Sequence, residues 1–174
     1  MFKELNILKI FLESPTKEFN VREVARLLEI TPATASKDLK HWAKKGILKF
    51  RKERIYQLYK SNLDSEVYRD FKRYYNTQKI KESGLLESLN QFYLKPTIIL
   101  FGSAAQGLDV EESDFDLVII TEKNKEFPHQ NTYEKKINRK LQLFVIRELK
   151  ELKNDHLINN IINGIVIQGE LKWI

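Results

Sequence analysis

The stretch that most constrains the fold is an apolar run, Thr97-Ile98-Ile99-Leu100-Phe101, that breaks into Gly102-Ser103-Ala104-Ala105-Gln106-Gly107. It is followed by Ser113-Asp114-Phe115-Asp116-Leu117 and a second apolar run, Leu117-Val118-Ile119-Ile120. Short apolar runs bounded by small-residue turns read as buried strands. Side chains alternate faces along a strand, so Asp114 and Asp116, opening the second strand, point the same way. Two carboxylates on one face beside such a turn suit divalent cations and a nucleoside triphosphate. Gly102 lets the backbone turn tightly and approach a phosphate closely. Ser103 adds a hydroxyl and starts a helix whose free N–H groups favour anions.

The chain has 174 residues, enough for one large domain or two small ones. Its 42% hydrophobic and 31% charged content fit a soluble globular protein. There are no cysteines, which excludes a disulfide framework and a Cys-based zinc site and suits a reducing cytoplasm. No apolar run approaches the roughly 18 residues of a membrane span. Met1-Phe2-Lys3-Glu4-Leu5 has no signal-peptide core, so a cytoplasmic protein without a membrane partner is expected.

Ahead of this motif, Phe2, Leu5, Leu8, Phe11 and Leu12 recur at helical spacing, and Ser14-Pro15 ends that helix. Asn20 and Glu23 form a capping box, with Phe19 and Val24 at the staple positions. The second helix is expected to bury Val24, Leu27 and Leu28. Thr31 caps a third helix with Pro32 in its first turn, running to about Lys45, where Gly46 closes it. Ala35, Leu39 and Trp42 form its inner stripe, and Thr34, Ser36, Lys37, Lys40 and Lys44 its outer side. Two strands follow, Ile47 to Arg51 and Ile55 to Tyr59, joined by Lys52-Glu53-Arg54.

The net charge is +6, and it is concentrated. Residues 37–60 hold nine Lys and Arg against Asp38 and Glu53, or +7; the remainder, 21 basic and 22 acidic, sums to −1. Such a local patch is the electrostatic footprint of polyanion binding. Helix, helix-turn-helix and basic hairpin over residues 1–61 resemble the winged helix-turn-helix family of DNA-binding domains. The likeness is carried by Val21-Arg22-Glu23-Val24-Ala25-Arg26-Leu27-Leu28 and Thr31-Pro32-Ala33-Thr34-Ala35-Ser36-Lys37-Asp38-Leu39. The resemblance implies double-stranded DNA as partner and transcription regulation as role. Thr34, Ser36 and Lys37 would lie near base edges, and Lys40, Lys44, Arg51, Lys52 and Arg54 would meet phosphates.

Residues 62–84 read as a connecting helix with Val67, Phe71, Tyr74 and Tyr75 on its apolar side, packed within the chain or on the second copy of a homodimer. Leu85, Leu86, Leu89 and Phe92 form a further helix ended by Lys95-Pro96. Residues 85–174 then resemble minimal members of the nucleotidyltransferase superfamily typified by DNA polymerase β. The matching motif is Gly102-Ser103, Gly107 and Ser113-Asp114-Phe115-Asp116-Leu117, with Asp114 eleven residues after Ser103. The fold class expected is therefore α+β: a winged helix followed by an α/β domain with a small mixed sheet.

That resemblance implies Asp114 and Asp116 as metal ligands and catalytic residues for Mg²⁺ or Mn²⁺. It implies Gly102 and Ser103 at the nucleotide, and transfer of a nucleotidyl group to a hydroxyl, on a protein acceptor or toxin-like partner. It also implies a third carboxylate on a neighbouring strand. That strand is expected at Leu141–Ile146, where the position carries Gln142, a neutral amide able to face the nucleotide. Gln106 stands where many members carry Arg. Two readings follow: an active Mg²⁺-dependent nucleotidyltransferase, or a catalytically inactive regulator that senses nucleotide or binds a partner. Asp109, Glu111 and Glu112 read as solvated loop acids, with substitution of one as a ligand the alternative; Lys123, Lys125, Arg139 and Lys140 are cations able to supply triphosphate contacts, though no spacing places them. Residues 147–163 read as one or two helices burying Leu149, Leu152, Leu157, Ile158, Ile161 and Ile162, with His156 at a cap or on the surface; Ile165-Val166-Ile167 closes the chain as a strand. His129 and His156 have no second ligand at zinc spacing.

Overall fold

The computed structural model describes residues 5–171. The chain divides between Lys72 and Arg73 into two compact units.

In the first unit, helix α1 (Leu5–Glu13) buries Ile7, Leu8, Phe11 and Leu12. Phe2 and the side chain of Leu5 lie outside the described residues. The helix stops before Ser14-Pro15, where proline restricts its predecessor and offers no N–H. After the short strand β1 (Phe19–Asn20), Asn20 caps α2 (Val21–Leu27). The Asn20 Oδ1 accepts from the Arg22 and Glu23 amides at 2.9 and 3.0 Å, and Glu23 accepts in return from the Asn20 amide at 2.9 Å. The burial expected of Leu27 is corrected: it is 54% exposed, and Ala25 takes the inward place beside Val24. With roughly 100° per residue, Val24, Ala25 and Leu28 set a face that leaves Leu27 on its flank.

Thr31 caps α3 (Pro32–Lys44), accepting from the Thr34 amide at 3.2 Å. Ala35 and Leu39 are fully buried; Trp42 is half-buried, edge-on to Phe71. Gly46, at φ +72°, ends the helix in the left-handed region. Strands β2 (Leu48–Glu53) and β3 (Tyr56–Ser61) form an antiparallel hairpin. Lys52 and Glu53 continue the ladder instead of forming the tip, because they pair with Gln57 and Tyr56. The turn is Arg54-Ile55, with Arg54 at φ +53° and Ile55 84% exposed. β1 adds to the far side of β3, giving the order β1-β3-β2. A two-residue strand carries no alternation by which sequence could announce it.

Helix α4 (Glu66–Glu82) contains the division between the units. Its buried stripe is Tyr68, Lys72, Asn76 and Ile80, while Val67 and Tyr74 are exposed and Phe71 and Tyr75 half-buried. Hydrogen bonding explains why polar residues displace the expected aromatic stripe. The Tyr68 hydroxyl donates to the Phe11 carbonyl at 3.1 Å, and the Lys72 ammonium to the Leu12 carbonyl. Both acceptors are end-of-helix carbonyls of α1 that lack intrahelical partners, and the lysine stem is apolar along its length.

The second unit continues with α5 (Leu85–Tyr93), β4 (Thr97–Phe101), α6 (Gly102–Gln106), β5 (Phe115–Ile120), α7 (Gln130–Ile137), β6 (Leu141–Ile146), α8 (Asp155–Ile162) and β7 (Ile165–Gln168). The sheet order is β6-β5-β4-β7; β5 and β6 are parallel, the other pairs antiparallel. It is the small mixed sheet expected of an α/β domain. Helix α7, unread in the sequence, is the crossover that a parallel pair requires. One sheet face carries Ile98, Leu100, Phe115, Leu117 and Ile119, packed with Leu85, Leu89, Tyr93 and Ile137. The other carries Ile99, Phe101, Val118 and Ile146, packed with Leu149 and Ile161. Ile162, expected to be buried, is exposed at the end of α8, whose inward position is Ile161. Asn154 caps that helix through the Leu157 amide at 3.1 Å, so His156 is an exposed residue and not a cap. Among the described residues no helix is long and apolar enough to cross a membrane.

Candidate functional site

Strand β4 ends at Phe101, and the chain turns at Gly102 with φ +70°. That conformation favours glycine, and so does the space: a Cβ here would lie 2.4 Å from Oδ2 of Asp116. The sheet register completes the arrangement. Asp116 pairs with Phe101 on β4 and with Gln142 on β6. The end of β4 with its Gly102 turn, Asp116 and Gln142 therefore form a row across three strands at one end of the sheet. Strand alternation puts Asp116 on the face of Val118, and Gln142 on the face of Phe144 and Ile146. Ser103 follows within the five-residue α6, half-buried, its carbonyl accepting from the Gly107 and Leu108 amides.

Asp114 lies just outside the strand expected to contain it. The β5 ladder begins at Phe115, whose amide donates to the Lys140 carbonyl at 2.9 Å. The two carboxylates still sense each other. Burial pushes the Asp116 carboxyl above the usual aspartate range, and the neighbouring Asp114 charge pushes it further. A divalent cation suits this donor set: two like charges drawn together, one desolvated, against a turn kept clear of side chains. Among the described residues no group of three or more His, Cys, Asp or Glu converges, and the neutral Gln142 occupies the place opposite Asp116.

Asp109 corrects another expectation. It is fully buried and not solvated. Its carboxylate accepts from Asn76 Nδ2 at 2.7 Å and lies 3.5 Å from Arg139 Nη2. Glu111 is half-buried and Glu112 exposed. Arg139 is not aimed at a triphosphate: its side chain is 7% exposed and donates to the Val110 and Ser113 carbonyls. Lys123 is also engaged, donating to the Phe92 carbonyl at 2.7 Å above the Phe92 ring. Lys125, Lys140 and Gln106 are exposed. The role of Asn76 and Arg139 left no local signal, since they stand far along the chain from Asp109 and only the fold joins them.

In the first unit, Lys37, Lys40 and Lys44 are exposed along α3, with Ser36 half-buried. Thr34 is exposed too, and its hydroxyl sits 2.9 Å from that of Thr31 at the cap. Lys52 is exposed on β2, and Arg54 at the hairpin turn. Arg51 is already paired: Nε and Nη2 donate to the two Glu18 oxygens at 2.8 and 2.6 Å, and Nη1 to Glu53 at 2.7 Å. The same guanidinium holds Glu18 below the usual carboxylate range. Lys49 pairs with Asp64 at 2.5 Å. Glu18 and Asp64 lie outside the 37–60 segment, so counting charges along that segment overstates its open positive surface.

Residues 82–167 match the family described as a nucleotidyltransferase domain, which supports a function of the nucleotidyl-transfer type. No curated protein matches the chain.

Proposed function

We propose that the second unit binds a divalent cation and a nucleoside triphosphate at Asp114 and Asp116 and transfers a nucleotidyl group to a hydroxyl acceptor. The first unit is read as a winged helix-turn-helix that binds double-stranded DNA in a regulatory role. The observation that carries the enzymatic half is the convergence of Gly102, Asp116 and Gln142 at one sheet end, within the segment that matches a nucleotidyltransferase domain.

Asp114 and Asp116 would hold Mg²⁺ or Mn²⁺, which when bound neutralises the triphosphate and eases attack by the acceptor oxygen. In the overall reaction an acceptor O–Pα bond forms, the Pα–O bond to pyrophosphate breaks, and the acceptor proton passes to water. Gly102 keeps the approach to Asp116 free of a side chain, and Ser103, the next residue, would supply a hydroxyl to the nucleotide. Gln142 holds its place by strand register but brings neither charge nor basicity.

That neutrality favours a second reading, a regulator that binds the metal–nucleotide without turnover. Incubation with each labelled NTP and Mg²⁺ or Mn²⁺ separates the two. Transfer to the protein or a partner, lost in the Asp114→Asn, Asp116→Asn double variant, supports the enzyme. Metal-dependent NTP binding without transfer supports the sensor, and absence of binding refutes both. Gln142→Asp places a carboxylate opposite Asp116; if the missing acid limits turnover, transfer should rise about 100-fold, the lower end for one positioned acid–base group.

The DNA reading rests on the exposed α3 lysines followed by a basic antiparallel hairpin. Phosphate contacts of this kind make binding fall steeply with salt. A duplex titration at several salt concentrations checks it, and salt-independent or absent binding would remove this half.

A further inference from the structure

We infer that Asn76, Asp109 and Arg139 form a buried hydrogen-bonded frame that positions the Gly102 turn and Asp114 for a divalent cation. The inference rests on the metal–nucleotide reading of the second unit. All three are positioning residues, acting through the groups they hold.

The donors of Asn76 and the two terminal nitrogens of Arg139 all serve this frame. Asn76 spends both amide protons, one on the Ala104 carbonyl at 3.0 Å and one on Asp109 at 2.7 Å. Ala104 stands two residues after Gly102, so one side chain of α4 ties the turn to the loop that follows it. Arg139, just ahead of β6, reaches the same loop with its Nη1 on the Val110 and Ser113 carbonyls and its Nη2 near Asp109. Ser113 closes the loop on itself: its hydroxyl accepts from the Val110 amide at 2.9 Å, and its amide donates to the Val110 carbonyl at 3.1 Å. The next residue is Asp114.

Stability alone does not account for this arrangement. A buried ion pair costs desolvation that packed apolar residues would avoid. What the charged network supplies, and an apolar plug would not, is directional bonds to named carbonyls on both sides of the site. Direct hydrogen-bond partners of a metal ligand typically change metal affinity by about 10- to 100-fold when removed; these three act one step further back, through the backbone beside the ligands, so the lower end is expected.

The probe is Mn²⁺ alone, titrated against the full chain and followed by the electron paramagnetic resonance of the free ion. Arg139→Lys keeps the charge but loses the planar fork; Asn76→Ser loses one of the two bonds. Each variant, shown to be folded by circular dichroism, should bind Mn²⁺ about tenfold more weakly than the parent. Unchanged affinity in the folded variants would overturn the inference while leaving the Asp114-dependent site intact. Mn²⁺ binding indifferent to Asp114→Asn and Asp116→Asn would instead overturn the metal reading, and this inference with it. A second measurement needs no variant. In metal-free parent protein, the Val110 and Ser113 amides should exchange hydrogen as slowly as those of β5, and rapid exchange there would refute a preformed frame.

Discussion

Asp116 in the second unit and Arg51 in the first are both charged groups with close neighbours, and their surroundings differ in sign. Asp116 faces Gly102, which has no side chain; its burial raises its pKa, and the like charge of Asp114 raises it further. Arg51 lies on the surface between Glu18 and Glu53, which stabilise its cation. The carboxylate has a like charge for a neighbour, and the guanidinium has two opposite ones. Charge that can act on a ligand is charge the fold has left unbalanced. In the second unit that charge is concentrated on one strand end, whereas in the first it is distributed over separate lysines, each with a small effect.

The sharpest way to break this contrast is Gly102→Ala. The added methyl would collide with Asp116 and strain a left-handed backbone. Mn²⁺ affinity should fall about 100-fold, the upper end for changes next to a metal ligand. Retention of parent affinity would show that close approach at Gly102 does not shape the site. Next in size is the distributed surface. Lys40→Ala combined with Arg54→Ala should flatten the slope of log K against log salt by about 2, as expected for two lost phosphate contacts. Arg51→Ala should leave that slope unchanged, because its charge is already paired. A slope change for Arg51→Ala equal to that of either other residue would erase the distinction between open and spent charge.

The smallest expected effect is on stability. A carboxyl whose pKa is raised by folding holds its proton longer in the folded than in the unfolded chain. Its penalty is absent below the unfolded pKa, near 3.9, and grows as pH rises through the folded value. Asp116→Asn should therefore raise the melting temperature of the metal-free protein at pH 7 and change it little at pH 3, by a margin kept modest by partial exposure. The same sign makes Mn²⁺ binding by the parent decline from a higher pH than an ordinary aspartate would set. Thermal melts and Mn²⁺ titrations across that range check both.

Much of the local structure was legible in the residues. The Asn20–Glu23 box, the Thr31 cap, the Gly46 stop and the β6 strand at Leu141–Ile146 all lie where short-range rules put them, because their causes act within a few residues. The place of Gln142 came from the nucleotidyltransferase resemblance and not from local rules; the parallel register of β5 and β6 sets it opposite Asp116. The errors fell where a long-range partner decided the outcome. Asp109 looked like one acid among several until Asn76 and Arg139 buried it, and Arg51, read as a phosphate contact, has Glu18 and Glu53 as ion-pair partners that its own segment does not reveal in full. On α4 the aromatic residues suggested one face, but carbonyls at the end of α1 drew Tyr68 and Lys72 to another.

The sequence by itself determined most of the elements, α7 and β1 excepted, the two aspartates beside a glycine turn, and the concentration of basic residues between 37 and 60. Local propensity and short spacing suffice for each. Only the tertiary structure decided which of those charges are neutralised, how closely Gly102 approaches Asp116, and what holds the loop before Asp114. Electrostatic compensation and steric contact depend on distances through space between residues far apart along the chain, and those distances exist only once the chain has folded.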